Sequence, residues 1–391
     1  MREYPQEPRG KAALTGERLR DLARAYGAGA KLPTMRRLSE ELDTPPATLK
    51  RALTNLEAEG VLRRREGSRG IFVSDTLNRR RVALVCDPSF FGGAGLSPFW
   101  GMLIERIQER AAASQDEEIS LHFTRPLAAG GAPAAPRDRG RLPLHEDLTT
   151  AVCQGRVHGV LGIGLPESVA HWLEMSGLPL VSFAGAGRTS VGVDYAAMID
   201  VLTDALVRQG CRHIEMWCPA YRTPAAEQAA RDISNRDAFA RALTGAGLPF
   251  DASQYRRCRH LIRRSGGGSL HAMPYGEQGY ETALSVFGPG TPPGARPDGV
   301  VVLDDMMTLG ALGALQALNL RAGRDVRIAT HANAGSPALV GWESFLTVAE
   351  VDPARIVDEM FRLLGGQMER ETAGGACVLV PPSLHLPTAA G

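Results

Sequence analysis

The sequence predicts an α/β protein, with an N-terminal winged helix-turn-helix followed by a two-lobed domain of parallel sheets flanked by helices. Three observations predict it. Between Lys31 and Val73, two short amphipathic segments separated by a turn precede a basic, glycine-bearing hairpin. From Arg81 onward, short apolar β-branched runs alternate with helix-length segments, as in parallel sheets covered on both faces. The charge is also divided. Residues 1–81 hold 18 Lys plus Arg against 11 Asp plus Glu, or +7, and the remainder holds 26 against 32, or −6. A net charge of +1 therefore conceals a basic head on an acidic body, which points to a polyanion held by the head alone. With 391 residues the chain is long enough for two cores.

Residues 1–12 are polar, and Leu19, Leu22, Ala23 and Tyr26 mark a first helix over Thr15–Tyr26 that Gly27 and Gly29 end. Thr34 suits an N-cap, and Leu38 and Leu42 at i, i+4 spacing give a second short helix. Asp43 to Pro46 breaks the pattern. A third helix starts near Ala47 and puts Leu49, Leu53 and Leu56 on one stripe, leaving Thr48, Lys50 and Arg51 turned elsewhere until Gly60 stops it. Val61-Leu62 and Ile71-Phe72-Val73 then flank RRREGSRG, a hairpin with arginines suited to phosphate. Residues 74–81 (SDTLNRRR) form a linker whose arginines suit phosphate or solvent equally.

The body opens with a strand over 81–86, a helix over Phe99–Ala113 and a strand over 119–123. Thr124 to Pro143, rich in Ala, Gly and Pro, is expected to be a flexible insertion. A helix near Leu144–Gln154, a strand at 157–164, a helix at Glu167–Ser176 and a strand at 179–185 follow. The second series begins after Val191. It runs through a long helix bearing Leu202, Leu206 and Val207, a strand at His213–Cys218, a helix at Arg236–Gly245 and a strand at Arg257–Ile262. After the loop SGGGS, which no Gly-Lys-Ser/Thr follows to make a phosphate loop, comes a helix at Gln278–Phe287 and the strand GVVVLDD. The chain closes with a helix at Met306–Leu318, strands DVRIAT and FLTVAEV, a helix at Pro353–Leu364 and the strand CVLVPP. Ligands in such folds bind beyond the carboxyl ends of parallel strands, here the cleft between two lobes.

The order and spacing of LPTMRRLSEEL, ATLKRALTNLEAEGVL and GSRGIFV resemble the winged helix of the GntR family of bacterial regulators. That resemblance implies a dimer with recognition helices in successive major grooves of operator DNA and wings on the adjacent backbone. By position it implies that Arg36 contacts phosphate or base, that Thr48 and Lys50 lie on the recognition helix beside Arg51, and that Arg69 and Gly70 form the wing tip. Pro45-Pro46 stands where the family usually has Ser-Arg, which removes an arginine contact and two N–H donors.

The body, in VGVDYAAM, PDGVVVLDDMMTLGALGALQALNL, GRDVRIATHAN and FLTVAEVDPARI, resembles the effector domain of the lactose-repressor family, itself similar to periplasmic sugar-binding proteins. The pairing with a GntR-type head is the one found in arabinose-repressor-type regulators. The resemblance implies a cleft that closes on a sugar-like effector and a homodimer formed through the same domain. Onto that cleft it carries Phe99 and Trp100 as stacking aromatics, Asp194, Asp304 and Asp305 as hydroxyl acceptors, Asn235 with Arg236 one residue late for the family's arginine, and His331 and Asn333 beside Ala332, which replaces the usual aspartate. Asp194 and Asp305 suit helix caps equally, and Trp100 suits a core.

The domains expected are therefore 1–73 for DNA, 74–81 as linker and 82–391 for effector binding and dimerisation. Six scattered cysteines without C-x-x-C spacing suggest buried thiols in a reducing cytoplasm, and nothing calls for a metal or cofactor. No apolar leader or membrane-length run is present. An enzyme is disfavoured, because there is no nucleophile elbow, HExxH or phosphate loop, and adjacent strand residues Asp304 and Asp305 would face opposite ways unless the strand had ended. A secreted sugar carrier would need no basic winged helix. The reading is an effector-responsive regulator, most simply a repressor of carbohydrate genes; the alternatives are a constitutive DNA-binding protein whose body only dimerises, or a regulator responding to a non-sugar ligand.

Overall fold

The computed structural model describes residues 11–64, 70–74, 79–88, 97–114, 117–125, 142–220, 225–258, 263–264, 270–271, 273–370 and 375–388. The expected insertion at 124–143, the SGGGS loop and Arg69 fall wholly or largely outside them. Two compact units divide between Arg80 and Arg81, with Ser114–Glu118 grouped with the first.

The first unit holds helices α1 (Lys11–Tyr26), α2 (Met35–Glu41) and α3 (Pro46–Ala58) and a two-stranded ribbon, β1 (Leu62–Arg63) with β2 (Phe72–Val73), paired antiparallel. Thr34 caps α2, its hydroxyl accepting from Arg37 N at 3.5 Å. The turn into α3 is closed by Ser39 Oγ donating to Thr44 O at 2.6 Å, with Asp43 in the left-handed region at φ 46°. Pro46 is the first residue of α3, where a missing N–H costs nothing and a fixed φ favours the helix. At the other end Gly60, at φ 71°, lets Val61 N reach Leu56 O at 2.9 Å and Gly60 N reach Glu57 O at 3.0 Å, the paired bonds that terminate a helix on a left-handed residue. Leu19, Ala23, Leu38, Leu49, Leu53, Leu56, Leu62 and Val73 are buried together as the core. Residues 29–32 add an edge to the ribbon: Val73 N donates to Ala30 O (2.8 Å) and Leu32 N to Ile71 O (2.9 Å), with Lys31 opposite Phe72.

The second unit is two sheets. The first has the order β15-β7-β6-β5-β3-β4 and contains β3 (Arg80–Cys86), β4 (Glu117–Phe123), β5 (Gly159–Ile163), β6 (Leu180–Phe183), β7 (Ser190–Val193) and β15 (Cys377–Val380). Its helices are α4 (Phe99–Ala113), α5 (Glu146–Cys153), α6 (Glu167–Met175) and α11 (Pro353–Met368). The second sheet has the order β16-β14-β13-β12-β8-β9, formed by β8 (Ile214–Cys218), β9 (Tyr255–Arg257), β12 (Gly299–Val302), β13 (Arg327–Asn333), β14 (Leu346–Val351) and β16 (Ser383–His385), with α7 (Tyr195–Arg208), α8 (Ala225–Gly245), α9 (Tyr275–Phe287) and α10 (Asp305–Ala317). A small antiparallel pair, β10 (Arg263–Arg264) and β11 (Leu270–His271), completes the described strands. From β8 to β14 all neighbours are parallel, and only β16 runs antiparallel.

The chain passes between the sheets three times: at Asp194, at Asp352 and at residues 381–382. Asp194 N donates to Val380 O at 3.0 Å, which ties the first passage to the third. Strands β3, β5, β6, β8 and β12 bury nearly every residue, as parallel strands covered on both faces must. On one face of the second sheet α9 and α10 touch backbone to backbone, since a Cβ at Gly310 would lie 1.8 Å from Gly276 O.

Three expectations are corrected. α8 begins at Ala225 rather than Arg236, because AAEQAARDISN is rich in strong helix formers that the apolar periodicity did not weigh. β9 is Tyr255–Arg257, upstream of the expected Arg257–Ile262, whose last four residues lie outside those described. The last segment supplies two strands, not one, with β16 an exposed edge that has little apolar pattern to betray it. No described helix is long and apolar enough to cross a membrane.

Candidate functional site

In the first unit, α3 presents Lys50 and Arg51 to solvent with Thr48 half-buried, while Leu49, Leu53 and Leu56 face the core. Neither Lys50 nor Arg51 has an ion-pair partner among the described residues. Arg36, on the exposed side of α2, is paired with Glu40 four residues on at 3.0 Å, a solvent-screened contact with Arg36 90% exposed. Gly70 is exposed at the end of the ribbon. The arrangement is a basic helix flank beside a ribbon, with the Lys50 and Arg51 charges open to an anion and Arg36 held by Glu40.

In the second unit the polar residues converge where β12, β13 and α7 meet. β12 ends at Val302, so Asp304 and Asp305 lie beyond the strand, and the condition under which adjacent carboxylates could share a face is met. They diverge nonetheless. Asp304, buried, caps α10 and accepts from Met307 N at 2.8 Å. Asp305, also buried, accepts from Ser336 Oγ at 3.2 Å and lies 3.5 Å from Asn333 Nδ2. Burial, and then the neighbouring charge of Asp305, holds the Asp304 carboxyl well above the usual carboxylate range. His331 is buried on the same strand end. Desolvation lowers its pKa against the opposing pull of Asp305 and Asn333, and its Nε2 has no hydrogen-bond partner among the described residues.

Asp194 caps α7, accepting from Ala197 N at 2.9 Å. The next residue, Tyr195, was not anticipated. Its phenol is pushed up by burial, and it lies within electrostatic range of Arg231, Asp304 and Asp305. Arg231 sits on the part of α8 that precedes the expected Arg236–Gly245 helix, one turn before buried Asn235. Asn235 is a hydrogen-bond partner of Cys218, whose thiol burial pushes up to about 12 and keeps neutral. Arg236 takes the exposed side of α8 beside Asp237, 3.7 Å away, because one helical step turns it away from Asn235. The aromatic pair lies on the other sheet's side: Phe99 is buried, and Phe99, Trp100 and Phe183 form a cluster with centroids 5.0, 5.6 and 6.0 Å apart. One turn further along α4, Met102 Cε lies 3.5 Å from where a Cβ on Gly335 would stand, so the loop after β13 reaches the first sheet's helix there. Among the described residues no group of His, Cys, Asp and Glu could hold a metal ion.

A winged helix-turn-helix bearing an unpaired basic helix flank, joined to two crossed-over parallel sheets with a buried polar cluster at their strand ends, defines a transcription regulator with a ligand-binding body. Residues 15–73 match the family of bacterial regulatory proteins of the gntR family, and residues 203–386 match the periplasmic binding protein-like domain. The chain thus combines a GntR helix-turn-helix with a periplasmic-binding-protein-like domain, and neither is an enzyme family. No curated protein matches the chain. Solved structures with the same fold include a regulatory protein of the LacI family from Chloroflexus aggregans (17% identity, 80% of this chain and 98% of that one, TM-score 0.59). Others are the transcriptional regulator CelR in complex with cellobiose (18% identity, 91% and 99%, TM-score 0.53) and the Lac repressor bound to ONPG in its repressed state (14% identity, 87% and 90%, TM-score 0.56).

Proposed function

We propose that the protein is a homodimeric, sequence-specific repressor of carbohydrate-utilisation genes, acting in the cytoplasm, whose operator affinity is set by a sugar-like effector held between its lobes. Residues 1–73 are assigned to operator binding, 74–81 to the linker and 82–391 to effector binding and dimerisation. The observation that carries the effector reading is the buried cluster of Asp304, Asp305, His331 and Asn333 at the strand ends, with one imidazole nitrogen unpaired: a buried donor or acceptor left open is costly unless a ligand or water fills it. Carboxylates, an imidazole and a carboxamide together suit the alternating donors and acceptors of sugar hydroxyls, and Phe99 and Trp100 suit a pyranose face. CelR was solved with cellobiose and the Lac repressor with ONPG, which favours a sugar over other small polar ligands. Tyr195 and Arg231 join the set as further candidates, and Arg236 leaves it. For dimerisation, α9 and α10 expose Tyr280 and Leu309, the Tyr280 ring lying 3.8 Å from where a Cβ on Gly313 would stand.

Lys50→Ala and Arg36→Ala are expected to weaken binding to operator fragments recovered from the protein's own genome, at constant salt, while leaving sugar-induced changes in intrinsic fluorescence unaltered. Operator binding by both variants as tight as that of the unaltered protein would contradict the assignment of the head.

A further inference from the structure

Lys31 lies outside the two elements a DNA-reading head is expected to use, since it precedes α2 and belongs to neither the recognition helix nor the hairpin. The backbone nevertheless carries it to the hairpin's flank. Gly29 N donates to Val73 O (3.2 Å), Val73 N to Ala30 O (2.8 Å) and Leu32 N to Ile71 O (2.9 Å), so residues 29–32 lie as an extra strand along β2. Lys31 therefore stands opposite Phe72, with its ammonium 5.9 Å from the centre of that ring. Its stem rests on Gly70: a Cβ there would come 2.6 Å from Lys31 Cε and 3.4 Å from Nζ. Gly70 also has φ 141°, a conformation that side chains resist. The ammonium is exposed and has no ion-pair partner among the described residues.

We propose that Lys31 is a backbone contact to duplex DNA, its ammonium held for a phosphodiester oxygen by Gly70 beneath its stem and Phe72 beside it. The role rests on the first unit being a DNA-binding head. Three features favour a phosphate. The site is a single compact positive charge, as a point contact to phosphate requires, with no fork for bidentate base recognition. Lysine stems ordinarily retain much rotamer freedom, and here aromatic and backbone contacts restrict it before any ligand arrives. The charge also sits next to the wing, the element expected at the duplex backbone. In this arrangement the family-like glycine at the wing tip has a second task beyond the turn, since any side chain there would displace the lysine.

The test uses the full chain and a random-sequence duplex, with binding followed by anisotropy across a salt series. Lys31→Gln keeps most of the stem and removes the charge, and it should reduce the slope of log K against log salt by about 0.9 per bound head. Lys31→Arg should restore the slope. Gly70→Ala, which leaves the charge inventory untouched, should weaken binding in the unaltered background and add less when Lys31 is already Gln, the non-additivity expected of residues in contact. A Lys31→Gln slope equal to that of the unaltered protein, when the latter binds with a clear salt dependence, overturns the proposal while leaving the head's function standing. Absence of any salt-dependent binding by the unaltered protein would instead overturn the DNA-binding reading itself, and this proposal with it.

Discussion

At the end of β12, backbone conformation divides the tasks of two adjacent carboxylates. Asp304 is extended, at φ −159° and ψ 133°, and turns back to cap α10; Asp305 is the helix's first residue and reaches Ser336 and Asn333. Because the folded state raises the Asp304 pKa by burial, it binds that proton more tightly than the unfolded chain does. Its contribution is therefore most favourable below the ordinary carboxylate value and declines as pH rises through the interval up to the raised value. Asp304→Asn retains a capping oxygen without the titration. Urea unfolding at about pH 5 and about pH 8 should show the variant gaining on the unaltered protein at the higher pH, by on the order of 1 kcal/mol or more. A gap that does not change with pH would contradict the assigned burial. The opposite sign holds at His331: its lowered pKa means stability is lost as pH falls through its ordinary value of about 6.5, when the unfolded chain takes up the proton first. The resemblance flagged Asp194, Asp304, Asp305, His331 and Asn333 at strand ends and Asn235 ahead of a helix, and five of these six side chains are buried, Asn235 lying inside α8 rather than before it. Tyr195 and Arg231 carry no local mark of a site: one reads as the first residue of an amphipathic helix after Asp194, and the other as a surface charge upstream of the helix expected at Arg236–Gly245.

α3 shows how chain ends and packing set a short helix. Two prolines stand at its start, and no side chain caps it, so the pre-set φ of Pro46 and the buried stripe of Leu49, Leu53 and Leu56 hold the helix. Its far end depends on Gly60. Gly60→Ala puts a Cβ into a left-handed conformation and should cost about 1–2 kcal/mol in unfolding free energy. Leu53→Ala, which empties core volume, should cost about 2–5 kcal/mol. Calorimetry that finds Leu53→Ala no worse than Gly60→Ala would show that the helix is held by its ends rather than its face. Elements of this kind were legible in the sequence, because periodicity, a Thr N-cap and a terminal glycine leave local marks: α2, α4, α6 and β12 fall within a few residues of expectation. β16 was not legible. A three-residue edge strand is specified by its partner β14 across a sheet, and no local pattern encodes that pairing.

For the whole molecule, the division into a basic head and an acidic body follows from charge counting alone, and the three passages between sheets give the body two lobes linked near Asp194, Asp352 and residues 381–382. The alternation of strand and helix could be read from the sequence, but which strands share a sheet could not, because crossovers at the chain's far end return β15 to the first sheet and β16 to the second. A body of this kind can regulate only through a difference in ligand affinity between its DNA-competent and DNA-incompetent arrangements; a ligand that binds both equally changes nothing. The most direct measurement is the affinity of the full chain for operator fragments recovered from its own genome, titrated with a panel of sugars and with a low-molecular-weight extract of the host cells. We expect at least one sugar to shift that affinity by about 5- to 150-fold, a coupling of about 1–3 kcal/mol, and Asp305→Ala to abolish the shift while retaining operator binding. Operator affinity that stays constant across the sugars and the extract alike would contradict the account.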